Sequence, residues 1–189
     1  MSTSTAAAAT LASLAGTWTI DPSHSRVGFV ARHAMVTKVR GAFNDFVGAA
    51  AVDAEDFSRS RVSLTIQAAS IDTRNEQRDE HLRSNEFFDM DTYPQISFVS
   101  TGVAQTGPAS LEITGDLTIK GVTRSVTVPF EFDGVAVDPF GNRRAGFEGS
   151  VSISRKDYGV TWNAPLETGG VLVSDKIVLE FEVSAIRND

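Results

Sequence analysis

Hydrophobic and polar positions alternate along most of this chain. In Leu111 to Lys120 the residues Leu111, Ile113, Gly115, Leu117 and Ile119 fall on one face, and Glu112, Thr114, Asp116, Thr118 and Lys120 on the other. A period of two is the signature of a half-buried antiparallel strand. The same alternation places Val126, Val128, Phe130 and Phe132 together, and Ile177, Leu179, Phe181 and Val183 together. Noisier runs cover residues 25–33, 38–53, 60–71, 95–104 and 144–154, which makes about eight strands. Pro129 has no N–H, so its strand has a ladder gap, an edge position or a bulge there. Turn residues separate the runs: Lys120-Gly121, Asp138-Pro139-Phe140-Gly141-Asn142 and Thr106-Gly107-Pro108. Short connections make sequential strands antiparallel neighbours. Eight strands that are apolar on one side have two economical arrangements, two stacked sheets or one sheet closed into a barrel.

One segment breaks the pattern. Between the third and fourth long strands, Asp72 to Asp91 is polar. Thr73 and Glu76 have capping-box spacing, and the residues from Glu76 to Arg83 favour helix. A short surface helix is expected, lying across one end of the sheet with Leu82, Phe87 and Phe88 turned inward.

The inward set comprises Val27, Phe29, Ala31 and His33, then Val39, Gly41 and Phe43, then Val62, Leu64 and Ile66, then Ile96 and Phe98, with Gly115 and Gly149 beside Leu117 and Phe147. Inward glycines either mark bulges and corners or remove filler volume from the interior. Composition bears on that choice: 12 Phe stand against 2 Tyr and 2 Trp. Phe supplies large apolar area with no polar tip to satisfy. Phe and Gly sharing one interior favour an elongated apolar cavity.

Charge and chemistry narrow the function further. Seventeen Lys and Arg against 24 Asp and Glu give a net charge of −7, which argues against a nucleic-acid partner. With no Cys, disulfides, thiolate metal sites and cysteine nucleophiles are excluded. His24, His33 and His81 lie far apart in sequence, so no metal centre and no cofactor are expected. Asp89 and Asp91 resemble half of a calcium loop, but the glycine and terminal Glu positions are not filled. His33 ends an inward stripe, either as a polar contact for a ligand head or as a hydrogen-bonded histidine at the barrel mouth. Arg78, Asp79 and His81 form either a catalytic or anion-binding cluster or a salt-bridged helix face, and the second is the default. Residues 1–16 lack Lys and Arg and are rich in Ala, Ser and Thr, so they read as a disordered or frayed leader, with a short capping helix over residues 6–15 as the alternative. A single domain over residues 17–189 and a cytoplasmic location are expected, since no stretch has the length of a membrane span.

Several motifs together resemble a known family. Asp21-Pro22-Ser23-His24-Ser25-Arg26-Val27-Gly28-Phe29, His33 and Val39-Arg40-Gly41-Ala42-Phe43 resemble the opening of the YceI-like, polyisoprenoid-binding family. Ser70-Ile71-Asp72-Thr73, Arg78-Asp79-Glu80-His81-Leu82, Phe87-Phe88-Asp89 and Tyr93-Pro94-Gln95-Ile96-Ser97-Phe98 are similar to its central block, and residues 115–123 to its later hairpin. The resemblance implies an all-β fold, an eight-stranded antiparallel up-and-down lipocalin-like barrel with one short helix. It also implies an enclosed isoprenoid or other long-chain amphiphile, and often a homodimer. No catalytic motif comes with it.

The leading expectation is a non-catalytic carrier for an isoprenoid lipid, polyprenyl phosphate or quinone. Its cavity wall would be Phe29, Phe43, Leu64, Phe98, Leu117 and Phe147, with Phe87 and Phe88 near the entrance and His33 at the polar head. The rivals are an enzyme or stress-response factor acting in the same cavity, and a packed structural barrel with no ligand.

Overall fold

The computed structural model describes residues 10–188. Eleven strand segments form one antiparallel sheet: β1 (Gly16–Ile20), β2 (Arg26–His33), β3 (Thr37–Phe43), β4 (Phe46–Val52), β5 (Arg61–Gln67), β6 (Ile71–Asp72), β7 (Gln95–Gly107), β8 (Ser110–Ile119), β9 (Val122–Val137), β10 (Arg143–Ser154) and β11 (Lys176–Arg187). Three pairs are halves of single bent strands. β1 and β2 both pair with β11, through Ile20↔Ala185 and Val27↔Phe181, on either side of a short turn at Pro22–His24. β3 and β4 bend at Asn44-Asp45, and β5 and β6 bend at Ala68–Ser70, so that β4 meets β5 while β3 meets β6. Counted this way there are eight long strands in up-and-down order, and β1 pairing with β11 closes the barrel. Closure joins the two end strands that a stacked pair of sheets would have left open, while stretches such as β3 from Thr37 to Gly41 and β9 before Phe130 lack a partner on one side among the described residues.

The alternation in sequence is the alternation of the wall. In β8, Leu111, Leu117 and Ile119 are buried while Glu112 and Asp116 are exposed. Cross-strand threonine pairs on the outer face, Thr114 with Thr127 and Thr118 with Thr123, are joined by hydroxyl hydrogen bonds of 2.7 Å each. The expected gap at Pro129 is present: β9 pairs with β10 only from Phe130 onward, so Pro129 faces no ladder partner on that side.

The single α-helix among the described residues, α1 (Glu76–Arg83), lies between the third and fourth long strands as expected. Its cap differs from the expected one. Asn75, not Thr73, caps the helix, its side chain accepting from the N–H of Arg78 at 2.9 Å. No helix among the described residues is long and apolar enough to cross a membrane.

The start of the chain corrects the expected leader. Residues 1–9 of that leader, with the first part of the alternative capping helix, lie outside the described residues. From Leu11 to Leu14, however, the chain forms one 3-10 turn whose two leucines are each 2% exposed. They pack with Trp18, Val103, Leu111, Phe132, Ala145 and Ala185 across one end of the barrel. The Trp18 indole N–H donates to the Leu14 carbonyl at 2.8 Å. Leu14→Ala is therefore expected to cost about 2–5 kcal/mol, the range for emptying a packed leucine site, read as a lowered urea midpoint with an unchanged slope.

Candidate functional site

The inward faces of the eight strands enclose a cavity of about 270 Å³. Every strand except the short β6 contributes apolar side chains to it, from Trp18 and Ala185 at one end to Phe87 and Val160 at the other. Arg155 is the only charged side chain on the wall among the described residues. Most other polar groups there are already satisfied by protein: Ser25 accepts from the Ser184 N–H at 2.9 Å, and Ser60 accepts from the Asp53 N–H at 3.0 Å. Water needs two to four polar partners to occupy a cavity, whereas hydrocarbon needs none.

Inward glycines shape this space through their aromatic neighbours. Phe29 and Gly41 are cross-strand partners, and a Cβ at Gly41 would overlap the Phe29 ring. Phe130 and Gly149 are likewise partners, and a Cβ there would come within 2.6 Å of the ring. At Gly115 the added carbon would meet both the Phe98 ring at 2.5 Å and the Val99 carbonyl at 2.6 Å. The glycines do not leave empty pockets above themselves. They give three phenylalanine rings somewhere to fold down along the wall, and the centre of the barrel stays open as a result.

The end of the barrel opposite Leu11–Leu14 is covered by two segments. One is α1 with its following turns, which delivers Leu82, Phe87 and Phe88 to the lumen. It is fixed from below by Asp79, a buried carboxylate that accepts from the Thr73 N–H at 2.9 Å and from the Thr73 hydroxyl at 2.5 Å. Arg78 closes the knot by donating to the Thr73 hydroxyl and carbonyl at 2.6 and 2.7 Å. His81 stacks edge-on against Phe87 and Trp162, with ring centroids 4.9 and 4.7 Å apart, and bonds Glu86 through Nε2. Arg78, Asp79 and His81 thus hold the cover in place, which replaces the expected solvated salt-bridged face.

The second covering segment runs from Arg155 to Asp175 and is tied by Arg155 itself. This guanidinium is 5% exposed. It donates to the carbonyls of Ser174 (2.9 Å), Val160 (2.8 Å), Trp162 (2.9 Å) and Val173 (3.3 Å), while the Asp175 carboxylate stands 3.7 Å away. Burial pulls its pKa below the usual arginine value, and Asp175 opposes that pull. Nearby, burial, with Asp157 adding to it, pushes the Tyr158 hydroxyl above its ordinary pKa.

The Asp21-Pro22-Ser23-His24 motif has a different role, outside the lumen. Asp21 accepts from Arg144 at 2.7 Å and from the Ser23 N–H at 3.0 Å, while Arg144 also donates to Asp138 at 2.8 Å. The knot ties the bend between β1 and β2 to β10 and to the Asp138–Asn142 loop. Arg144 holds both carboxyls well below the usual carboxylate range. A carboxyl whose folded pKa is depressed contributes stability above its unfolded value, near 3.9, and loses that contribution as pH falls towards the folded value. Urea midpoints should therefore drop between pH 5 and pH 3. Arg144→Met should lower the midpoint at pH 7 and shrink the difference between the two pH values.

Of the residues expected to form the site, Phe29, Phe43, Leu64, Phe87, Phe88, Phe98, Leu117 and Phe147 all lie on the cavity wall. His33 does not. It is exposed at the end of β2, bridged to Val173, because the strand has by then run past the barrel wall. Residues that the alternation did not mark also line the cavity: Leu14, Trp18, Phe57, Arg155, Tyr158 and Val160. Trp18 lies in the short β1, and the others come from turns and connecting segments, where no period of two exists to reveal them. Among the described residues no three His, Asp or Glu side chains gather as a metal site, and Asp89 and Asp91 belong to no such group.

Comparison with known proteins gives a consistent picture. A family described as the YceI-like domain matches residues 18–185. The UPF0312 protein SAS2572 of Staphylococcus aureus is 40% identical over 169 residues, covering 89% of this chain and 95% of its own. The crystal structure of Burkholderia cenocepacia BcnA superposes with a TM-score of 0.77 at 28% identity, over 87% of this chain and 98% of that one. A polyisoprenoid-binding domain from Saccharophagus degradans gives a TM-score of 0.69 over 90% and 98% of the two chains. At 14% identity that likeness shows a shared fold alone.

Proposed function

Because the chain belongs to the YceI-like domain family, we propose that its barrel is a non-catalytic binder that carries or sequesters a long apolar or amphiphilic molecule, such as an isoprenoid lipid, a polyprenyl phosphate or a quinone. The observation that carries this reading is the wall: a lumen of about 270 Å³ spans the barrel with no Asp, Glu, Lys or His on its lining among the described residues. Arg155, the one cation there, spends its N–H groups on backbone carbonyls. Such a wall discriminates by length and width of an apolar chain, and offers turnover no carboxylate, imidazole or amine.

The energetics require a long ligand. Each buried methylene contributes about 0.8 kcal/mol, while association costs roughly 4–15 kcal/mol. A short tail therefore binds weakly and a long one tightly. Trp18 on the wall provides the readout, since a bound quinone quenches indole fluorescence. In a series of quinones with n-alkyl tails, affinity is expected to rise about tenfold for every two methylenes added, then level off once the lumen is full. An affinity independent of tail length would refute the proposal.

A further inference from the structure

The β2–β3 hairpin carries a surface feature that the lumen does not explain. Beyond Val30 the hairpin leaves the barrel wall, and β3 from Thr37 to Gly41 is paired only with β2 among the described residues. At its tip Met35 is 61% and Val36 74% exposed. Val171, on the neighbouring segment, is 39% exposed. The two tips are joined: the Ala34 N–H donates to the Leu172 carbonyl at 2.8 Å, and the Met35 sulfur lies against Gly170. The turn itself is unusual. Ala34 and Met35 have φ of 49° and 65°, the left-handed pair of positions that Asn-Gly normally fills in a tight hairpin.

Charge sets this tip apart from the rest of the molecule. The chain carries a net charge of −7, yet residues 26–44 contain four Lys and Arg and no Asp or Glu. Arg26 and Arg40 face Glu180, at 3.6 and 3.3 Å. Arg32 and Lys38, nearer the tip, belong to no ion pair found among the described residues and are exposed, as is His33. Glu167 and Asp175 are the opposing charges nearest in sequence to the Val171 tip, each four residues away, and Asp175 is paired with Arg155 and Lys156. An apolar point with cations set behind it has the arrangement of an interfacial anchor, apolar residues below the headgroups and Lys or Arg level with them. The lumen lining reaches Ala31 and Val173, three residues from Met35's turn and two from Val171 respectively.

We infer that this end of the barrel docks on an anionic lipid surface, with Met35, Val36 and Val171 entering the bilayer interface and Arg32 and Lys38 contacting the headgroups. Docking would present the Ala31 and Val173 end of the lumen to the pool from which a membrane-dissolved cargo is taken or to which it is returned. That use rests on the function proposed above; the docking does not.

Co-sedimentation of the full chain with vesicles tests it, using phosphatidylcholine alone and phosphatidylcholine with one-third phosphatidylglycerol. The protein should pellet with the anionic vesicles and stay in solution with the neutral ones. Arg32→Gln with Lys38→Gln should weaken binding about twentyfold, and Met35→Ser with Val36→Ser at least tenfold. Phe140→Ser, which removes the most exposed Phe at the opposite end, should change nothing. Alkyl-quinone affinity and thermal midpoint should stay the same in all three variants, so failure of docking and failure of cargo binding read out separately. Equal binding to neutral vesicles, equal harm from Phe140→Ser, or a dimer that ignores vesicles and dissociates with Met35→Ser and Val36→Ser would each overturn the inference.

Discussion

Arg155→Met is expected to destabilise the protein by about 3–5 kcal/mol, the cost of removing one member of a buried charged network. The arginine binds the carbonyls of Ser174, Val160, Trp162 and Val173 at distances between 2.8 and 3.3 Å, in a segment with little regular structure of its own. Methionine fills similar volume and donates nothing. Exchanging both members of a buried pair for apolar groups can be neutral, but here the backbone carbonyls cannot be exchanged. For a domain of this size the loss corresponds to a thermal midpoint lower by roughly 10 °C. The damage should be local as well as global. Hydrogen exchange should rise most between Val160 and Val173, while the β7–β8 ladder stays protected until global unfolding.

The second large effect concerns the lumen. Gly41→Leu is expected to weaken binding of a long-tailed quinone on the order of a hundredfold, because the ring of Phe29 now folded over Gly41 must swing into the cavity. A phenyl ring there excludes about three or four methylenes of ligand, each contributing about 0.8 kcal/mol. Overpacking should also cost about 1–3 kcal/mol of stability. Adding Phe29→Ala to the same chain should restore much of the affinity, since the ring that blocks the lumen is gone. That rescue separates a filled cavity from a merely distorted wall, and it is a coupling a double-mutant cycle measures directly.

Much of this architecture is written in the period of two. The stripe Leu111, Ile113, Leu117 and Ile119 had to turn to one face together, and β8 turns it to the lumen. Eight of the nine residues expected at the site line the cavity, six of them because parity on a closed sheet decides which side a residue faces, and Phe87 and Phe88 because the turns after α1 cover the barrel end. Parity also explains the failure at His33. It shares the phase of Val27, Phe29 and Ala31, but phase says nothing about where a strand runs off the end of its barrel. The two covers were hidden for a related reason. Leu11, Leu14, Arg155 and Tyr158 sit in 3-10 turns, and their burial follows from the strands that they close over rather than from any local pattern. Thr73 and Asp79 show a subtler limit: the capping-box spacing of Thr73 and Glu76 is real, but Thr73 is engaged by a buried Asp79, and Asn75 takes the cap. The inward glycines were legible as lumen-forming, though by a route the sequence hides, since the Phe rings folded over them are cross-strand or diagonal neighbours.

The central claim is that the lumen holds an apolar chain. Native mass spectrometry of the protein as purified, before and after exposure to a long-tailed alkyl quinone, tests it most directly. The account predicts one extra mass per barrel, from a co-purified lipid or from the added quinone, which Gly41→Leu reduces and Gly41→Leu with Phe29→Ala restores. A bare protein mass in both spectra, or an adduct that Gly41→Leu leaves untouched, would contradict it.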